Sequence, residues 1–318
     1  MPAPHNRRMA ILVMTAPLPA LQYLLPLREA APPSVPVWAA DEPHDARAVE
    51  AILAWRMKPG VLAGYPNLRV LCAVAAGVDK LLRAGDIPPH VPVTRVVDPH
   101  QCQQIAQYVV ACTLRHTREL PRYAAQQARA HWERYRPRPA ESCRIGVLGM
   151  GSVGQAIAQA FLPLGYPVSG WSRQTRRMPG VTSHAGDQGL ATLLAQADVL
   201  VCALPLTSQT RGLLNRRTLS MLPRGGYVIN VGRGEQMVEA DLRALLDEGH
   251  LAGAALDVYE REPPSADNWV WAHPLVLATP HIAGEVSREI VAQQTLEALH
   301  LAREGLPQPR AVDKNAGY

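Results

Sequence analysis

Arg144-Ile145-Gly146-Val147-Leu148-Gly149-Met150-Gly151-Ser152-Val153-Gly154 is the stretch on which the fold turns. An apolar run ends in the spacing G-x-G-x-x-G, and the chain then reaches Pro163 without another Gly or Pro. That order predicts a buried strand from Arg144 to Gly149, a tight turn, and a helix from Ser152 to Phe161. The first glycine permits the turn. The second lets a pyrophosphate approach the backbone, and the third lets helix and strand pack closely. The open helix end adds unpaired N–H groups and the positive end of its dipole. Gly149, Met150, Gly151, Ser152, Val153 and Gly154 are therefore candidate contacts for the phosphates of a dinucleotide.

The next strand, predicted over 167–172, selects the dinucleotide. A site for NAD carries Asp or Glu about 20 residues beyond the turn, bonded to a ribose 2′-hydroxyl. Here Gly170-Trp171-Ser172-Arg173-Gln174-Thr175-Arg176-Arg177 holds a hydroxyl and three arginines but no carboxylate. A carboxylate would repel a 2′-phosphate, whereas Ser172 and Arg173 would bind one. The expected cofactor is NADP, with NADPH preferred over NADH. Apolar runs at 199–204, 227–231, 253–258 and 276–278, with helical patterns at 190–196 and 239–248, continue the strand–helix alternation of a doubly wound parallel sheet.

Upstream, a second alternation appears. Apolar runs at 10–14, 35–39, 51–55 and 68–74 read as strands, and 46–50 and 78–83 as helical. Residues 101–129 read as one long helix, broken at Pro121, with Ile105, Val109, Cys112 and Leu120 at helical spacing. A loop with Trp132 and Tyr135 follows. This segment is either an arm that docks on a second copy or a helix linking two domains. A final helix is predicted over 287–304.

Composition limits the alternatives. A chain of 318 residues suggests two domains, at roughly 150 residues each. With 47% hydrophobic and 19% charged residues it is not a disordered chain. Lys+Arg exceed Asp+Glu, 32 against 27, without any run of five like charges. Small anionic ligands account for that surplus, and no nucleic-acid partner is expected. Cys72, Cys102, Cys112, Cys143 and Cys202 form no Cys-x-x-Cys pair, so neither a metal site nor a disulfide framework is expected. They read as reduced and cytoplasmic. Arg7-Arg8 before an apolar stretch to Leu27 has the outline of a signal peptide, but Pro17, Pro19 and Pro26 interrupt it, and a first buried strand is the better reading. No segment approaches the roughly 18 uninterrupted apolar residues of a membrane helix.

Three segments follow strands of the second half: Asn230-Val231-Gly232-Arg233-Gly234, Asp257-Val258-Tyr259-Glu260-Arg261-Glu262-Pro263 and Thr279-Pro280-His281-Ile282-Ala283-Gly284. Ligands of an open parallel sheet collect at the carboxyl ends of its strands. An Arg, a Glu and a His thus share one rim, a sufficient set for hydride transfer to a 2-oxo acid. The cation holds the carboxylate and polarises the carbonyl, and an imidazolium supplies the proton. A carboxylate orients the imidazole and favours its charged form. Glu262, paired with a proline, is preferred over Glu260 in that last role.

With these segments in place, the chain resembles the D-2-hydroxyacid dehydrogenases, and among them the short glyoxylate/hydroxypyruvate reductases that use NADPH. The resemblance is carried by Ala75-Ala76-Gly77-Val78-Asp79, the glycine turn, Trp171-Ser172-Arg173, Leu204-Pro205-Leu206-Thr207, Val231-Gly232-Arg233-Gly234, Leu256-Asp257-Val258 with Glu262-Pro263, and Thr279-Pro280-His281-Ile282-Ala283. It runs from about residue 50 to the C-terminus. It implies two doubly wound parallel-sheet (Rossmann-like) domains with a cleft between them. A discontinuous substrate domain would comprise 1–103 plus 288–318. An NADP-binding domain would comprise 104–287, including a dimerisation arm around 110–140.

The resemblance also implies roles. Arg233 would bind the substrate carboxylate and carbonyl, with His281 as acid–base paired to Glu262. The backbone of Ala76 and Gly77 would hold the carboxylate, and Trp55 would line the pocket or pack in the core. Asp257 would meet the nicotinamide carboxamide, and Leu204 and Pro205 the adenosine side. Trp171 and Val231 belong to the same cofactor set. Trp132 would either reach a neighbouring subunit's site or pack at the interface. The expected partners are a small anionic 2-oxo acid and a second copy of the chain, with no membrane. Reduction of a different 2-oxo acid, such as phenylpyruvate or a branched one, and a cofactor-sensing scaffold are the rival readings. Residues 1–8 have no counterpart and are expected to be disordered.

Overall fold

Strands buried on both faces read as unbroken apolar runs, and most strands here are of that kind. The computed structural model describes residues 9–317, so the expectations for residues 1–8 lie outside the described residues. In chain order the elements begin with β1 (Ala10–Met14), α1 (Leu21–Ala30), β2 (Val37–Ala39), β3 (Val49–Ala54), β4 (Val70–Ala73), α2 (Asp79–Leu82) and β5 (Val93–Thr94). Then come α3 (Pro99–Thr117), α4 (Leu120–Gln127), β6 (Ile145–Leu148), α5 (Ser152–Phe161), β7 (Val168–Ser172), β8 (Val181–Ala185), α6 (Gly186–Gln196) and β9 (Val199–Cys202). The chain closes with α7 (Arg216–Leu219), β10 (Gly226–Asn230), α8 (Glu239–Asp247), β11 (Leu251–Leu256), β12 (Val276–Ala278) and α9 (Arg288–Arg303).

These form two units, each with its own parallel sheet. The first comprises the chain up to Asp98 together with the chain from Val286; the second is Pro99–Glu285. The boundaries precede those read from sequence, at 103/104 and 287/288, because α3 stays whole within the second unit. The first unit's sheet has the order β2-β1-β3-β4-β5, and its strand order reverses at β1/β3. Returning α9 buries Val291, Ala292, Ala298 and Leu299 in a core shared with Tyr23, Leu24 and Leu27 of α1.

The second unit's sheet has the order β12-β11-β10-β9-β6-β7-β8, reversing at β6/β9. The only Phe, Phe161, is fully buried in its core and meets Tyr166 edge-on at 5.4 Å between centroids.

Local readings differ from the structure in several places, and the short β5 and α7 have no counterpart among them. Residues 46–48 form a turn and Val49 and Glu50 already belong to β3, not to a helix. The long helix breaks at Glu119, whose φ is 52°; Pro121 sits harmlessly in the first turn of α4, where its missing N–H costs nothing. Helix α1 was hidden by Pro26, which lies inside it and normally argues against a helix interior. Edge strand β8, Val-Thr-Ser-His-Ala and only partly buried, lacks the apolar run of an inner strand.

Candidate active site

The glycine turn lies at the β6/β9 reversal, the place where open α/β sheets take ligands. Gly149 has φ 98°, and a Cβ on it would stand 2.7 Å from the Ala203 carbonyl oxygen. A Cβ on Gly154 would overlap the Gly149 carbonyl, so helix and turn are in backbone contact. Gly151 is different: nothing lies within 4 Å of the place a Cβ would take. The backbone is open there, and α5 begins at the next residue without a side-chain cap. This combination fits a pyrophosphate. Met150 supplies only backbone to the turn, because its side chain is buried and packs against Gly170. Val153 is half-buried against the same core.

At the end of β7, the Trp171 indole donates to the Gly186 carbonyl at 2.8 Å. The Ser172 hydroxyl donates to the Gln174 carbonyl at 2.6 Å. Arg173 is exposed beside them. Arg176, which the sequence reading did not single out, donates from its guanidinium to the Met150 carbonyl at 3.4 Å. It brings a second cation to the glycine turn, and no carboxylate stands on this strand end.

Three further strand ends carry the titratable set. After β10, Asn230 is fully buried and clamps its own turn: its Oδ1 accepts from Gly232 N–H at 3.1 Å and its Nδ2 donates to the Arg233 carbonyl at 3.1 Å. The Arg233 guanidinium is half-buried and donates to the Gly232 carbonyl at 2.9 Å. A Cβ on Gly234 would overlap the backbone of Tyr259, so the Arg233 turn lies directly on the segment after β11. In that segment Glu262 accepts the Tyr259 N–H at 3.3 Å through Oε1. Its Oε2 lies 3.0 Å from His281 Nδ1. Glu262, not Glu260, is the carboxylate beside the imidazole. With Nδ1 engaged, the other ring nitrogen, Nε2, is the one left to face a substrate.

His281 sits in the left-handed region, φ 58°, uncommon for a residue with a Cβ. The loop around it is over-determined. Asp257, 1% exposed, accepts the Thr279 hydroxyl at 2.7 Å, Ile282 N–H at 2.8 Å and Ala283 N–H at 2.8 Å. Because Thr279 donates to Asp257, Tyr108 is the donor in its 2.7 Å bond to Thr279. Burial pushes the Tyr108 hydroxyl well above its ordinary range, so it stays protonated. Gln101 donates to the Gly284 carbonyl at 3.3 Å, and Gln104 accepts Glu285 N–H at 2.8 Å. Helix α3 thus pins the His281 loop at both ends. The Tyr259 hydroxyl lies 2.9 Å from both the Leu256 and Thr279 carbonyls, and burial pushes it up to about 12.

In the cofactor set, Leu204 is buried, Pro205 and Val231 are half-buried, and Asp257 faces the loop just described. In the first unit, Trp55 directly follows β3 at that sheet's own reversal, with the Lys80 ammonium 4.8 Å from its ring centroid. Ala76 and Gly77 follow β4, and among the described residues their N–H groups meet no acceptor. All five cysteines are free and buried. Among the described residues, no group of three His, Cys, Asp or Glu could hold a metal ion, and no helix is long and apolar enough to cross a membrane.

A glycine cradle at a sheet reversal with an Arg and a Glu–His pair on neighbouring strand ends defines a dinucleotide-dependent oxidoreductase. Residues 110–283 match the family D-isomer specific 2-hydroxyacid dehydrogenase, NAD binding domain. The chain is 34% identical over 279 residues to a glyoxylate/hydroxypyruvate reductase A of Yersinia enterocolitica, covering 86% of this chain and 89% of that one. A D-isomer specific 2-hydroxyacid dehydrogenase of Xanthobacter autotrophicus Py2, solved with NADPH and MES, superimposes with a TM-score of 0.92 at 37% identity, over 98% of this chain and 100% of that one. An NADPH-dependent glyoxylate/hydroxypyruvate reductase of Sinorhizobium meliloti, solved with NADP and sulfate, gives 0.90 at 33% identity with the same coverage. The chain belongs to the D-isomer specific 2-hydroxyacid dehydrogenase family.

Proposed function

We propose that the protein uses NADPH to reduce small 2-oxo acids, glyoxylate to glycolate and hydroxypyruvate to D-glycerate first among them. The observation that carries this reading is the 3.0 Å His281–Glu262 pair beside the Arg233 turn. The relatives solved with NADPH or NADP support the cofactor, as does a β7 end with arginines and no carboxylate. The names of the similar reductases support the substrate class.

NADPH, when bound, supplies a hydride to substrate C2. The residues do the rest. Arg233 holds the substrate carboxylate and polarises the carbonyl. In the first unit, the unpaired N–H groups of Ala76 and Gly77 suit a carboxylate. His281, protonated, gives its Nε2 proton to the oxygen that becomes the hydroxyl, and Glu262 stabilises the imidazolium at Nδ1. One hydride and one proton convert the 2-oxo acid to a 2-hydroxy acid. We place this enzyme in the cytoplasm, consistent with five buried free thiols. We also propose a homodimer built on the arm of residues 110–140, where Trp132 is 90% exposed, a degree of exposure that suits an interface.

The test is initial-rate turnover of NADPH and NADH with glyoxylate, hydroxypyruvate and phenylpyruvate, for the wild type and His281→Ala. Fast turnover of the two small acids with NADPH is expected, with kcat of the variant lower by about 100-fold or more and NADPH affinity little changed. Preference for phenylpyruvate would reject the substrate assignment, and an unchanged kcat in the variant would reject His281 as the acid.

A further inference from the structure

Gln236 is fully buried in the turn after Arg233 and uses its whole amide. Its Nε2 donates to the Leu204 carbonyl at 2.8 Å and to the Pro205 carbonyl at 3.0 Å. Its Oε1 accepts Arg233 N–H at 2.9 Å and the Cys202 thiol at 3.3 Å. This orientation is forced: two carbonyls require the NH2 end, and the Arg233 N–H requires the oxygen. Burial pushes the Cys202 thiol up to about 12, so it remains a donor.

The amide therefore joins two strand ends. The segment after β9 begins at Ala203, whose carbonyl lies against the Gly149 turn. The segment after β10 carries Arg233. A Cβ on Gly232 would collide with Gln236 Oε1 and stand 3.0 Å from the Leu204 carbonyl, so the two segments and the amide are in direct contact.

We propose that Gln236 is a positioning residue that couples dinucleotide binding to the placement of Arg233. Filling the cradle fixes the 203–205 segment, Gln236 transmits that position to the Arg233 backbone, and the guanidinium is set to receive a carboxylate. This rests on the proposed function above. Glutamate at this position lacks the two donors and faces two carbonyls with a charge. Methionine fills the space without bonding either segment.

The experiment is calorimetry of oxalate, a non-reducible carboxylate probe, with and without saturating NADPH, alongside titration of NADPH itself. In the wild type NADPH should tighten oxalate binding by about fivefold or more, within the usual range of coupling between sites. In Gln236→Met the enhancement should fall below about twofold, while NADPH affinity holds. The KM for glyoxylate should rise with little change in the KM for NADPH. Gly232→Ala, which displaces the amide but keeps it, should lose the coupling in the same way, and serves if Gln236→Met does not fold. Coupling retained in either folded variant overturns the role of Gln236. Wild-type binding of both ligands without mutual effect overturns the coupling itself. Failure of the wild type to bind either ligand overturns the reading of function beneath it.

Discussion

Glu262 touches His281 at Nδ1 and is itself oriented by the Tyr259 N–H. Glu262→Gln keeps the shape but removes the negative charge beside Nδ1, so kcat for glyoxylate should fall by about tenfold or more while the KM for NADPH holds. Steady-state kinetics check this, and an unchanged kcat would reject Glu262 as the electrostatic partner. At this scale the sequence was informative where chemistry depends on residue type. The Arg, Glu and His at 233, 262 and 281 could be picked out because each comes after a strand and stands beside a Gly or Pro. The supporting residues could not. Gln236, Tyr108 and Thr279 act through hydrogen bonds to groups far away in sequence, and Asn230 through bonds within its own turn, and nothing in their spacing announces such partners. Arg176 was visible as a cation, but its reach to Met150 depends on how the loop after β7 folds back.

Between elements, Asp198 shows how the sheet that carries the site is tied at the amino ends of its strands. Its carboxylate accepts Arg144 N–H at 2.8 Å and the Arg144 side chain at 2.9 Å, with Arg138 at 3.0 Å. Its backbone bonds β6 and β10 on either side. Burial alone would raise this carboxyl, but the Arg144 and Arg138 bonds outweigh it and hold it below the usual range. A carboxyl depressed in the folded state stabilises above its unfolded pKa, and that stability is lost as pH falls through the folded value. Asp198→Ala should therefore cost about 1–3 kcal/mol at neutral pH, toward the lower end because both arginines are half-exposed. The cost should shrink in acid. Urea melts at pH 7 and pH 3 read both, and an equal loss at the two values would contradict the assignment. Element legibility follows the same physics. Inner strands with apolar faces on both sides were found to within two residues at their ends, whereas β8 and α1 lacked the expected pattern for local reasons: a polar edge and an internal proline.

For the whole chain, the first unit is discontinuous, and the C-terminal helix α9 completes its core. Val291 and Leu299, each at most 3% exposed, pack with α1 residues Leu24 and Leu27. Fully burying side chains of this size is worth roughly 1.5–3 kcal/mol each, a large part of an ordinary domain's margin. A chain ending at Glu285 should leave the first unit unfolded while residues 99–285 remain protease-resistant and bind NADPH. Limited proteolysis with NADPH fluorescence tests this, and a protected first unit without α9 would refute it. The discontinuous plan was legible only through the family resemblance. No local pattern in residues 288–303 says which sheet the helix will cover.

The glycine turn also sorts its own mutants. An alanine at 149 or 154 drives a methyl group into backbone, so the defect belongs to the folded state and should appear as lost soluble protein. An alanine at 151 meets empty space, so the chain should accumulate normally and fail only when asked to hold its cofactor. In a library scored separately for abundance and for turnover, these neighbours fall into different classes. Position 151 would be the one at which the two scores part company.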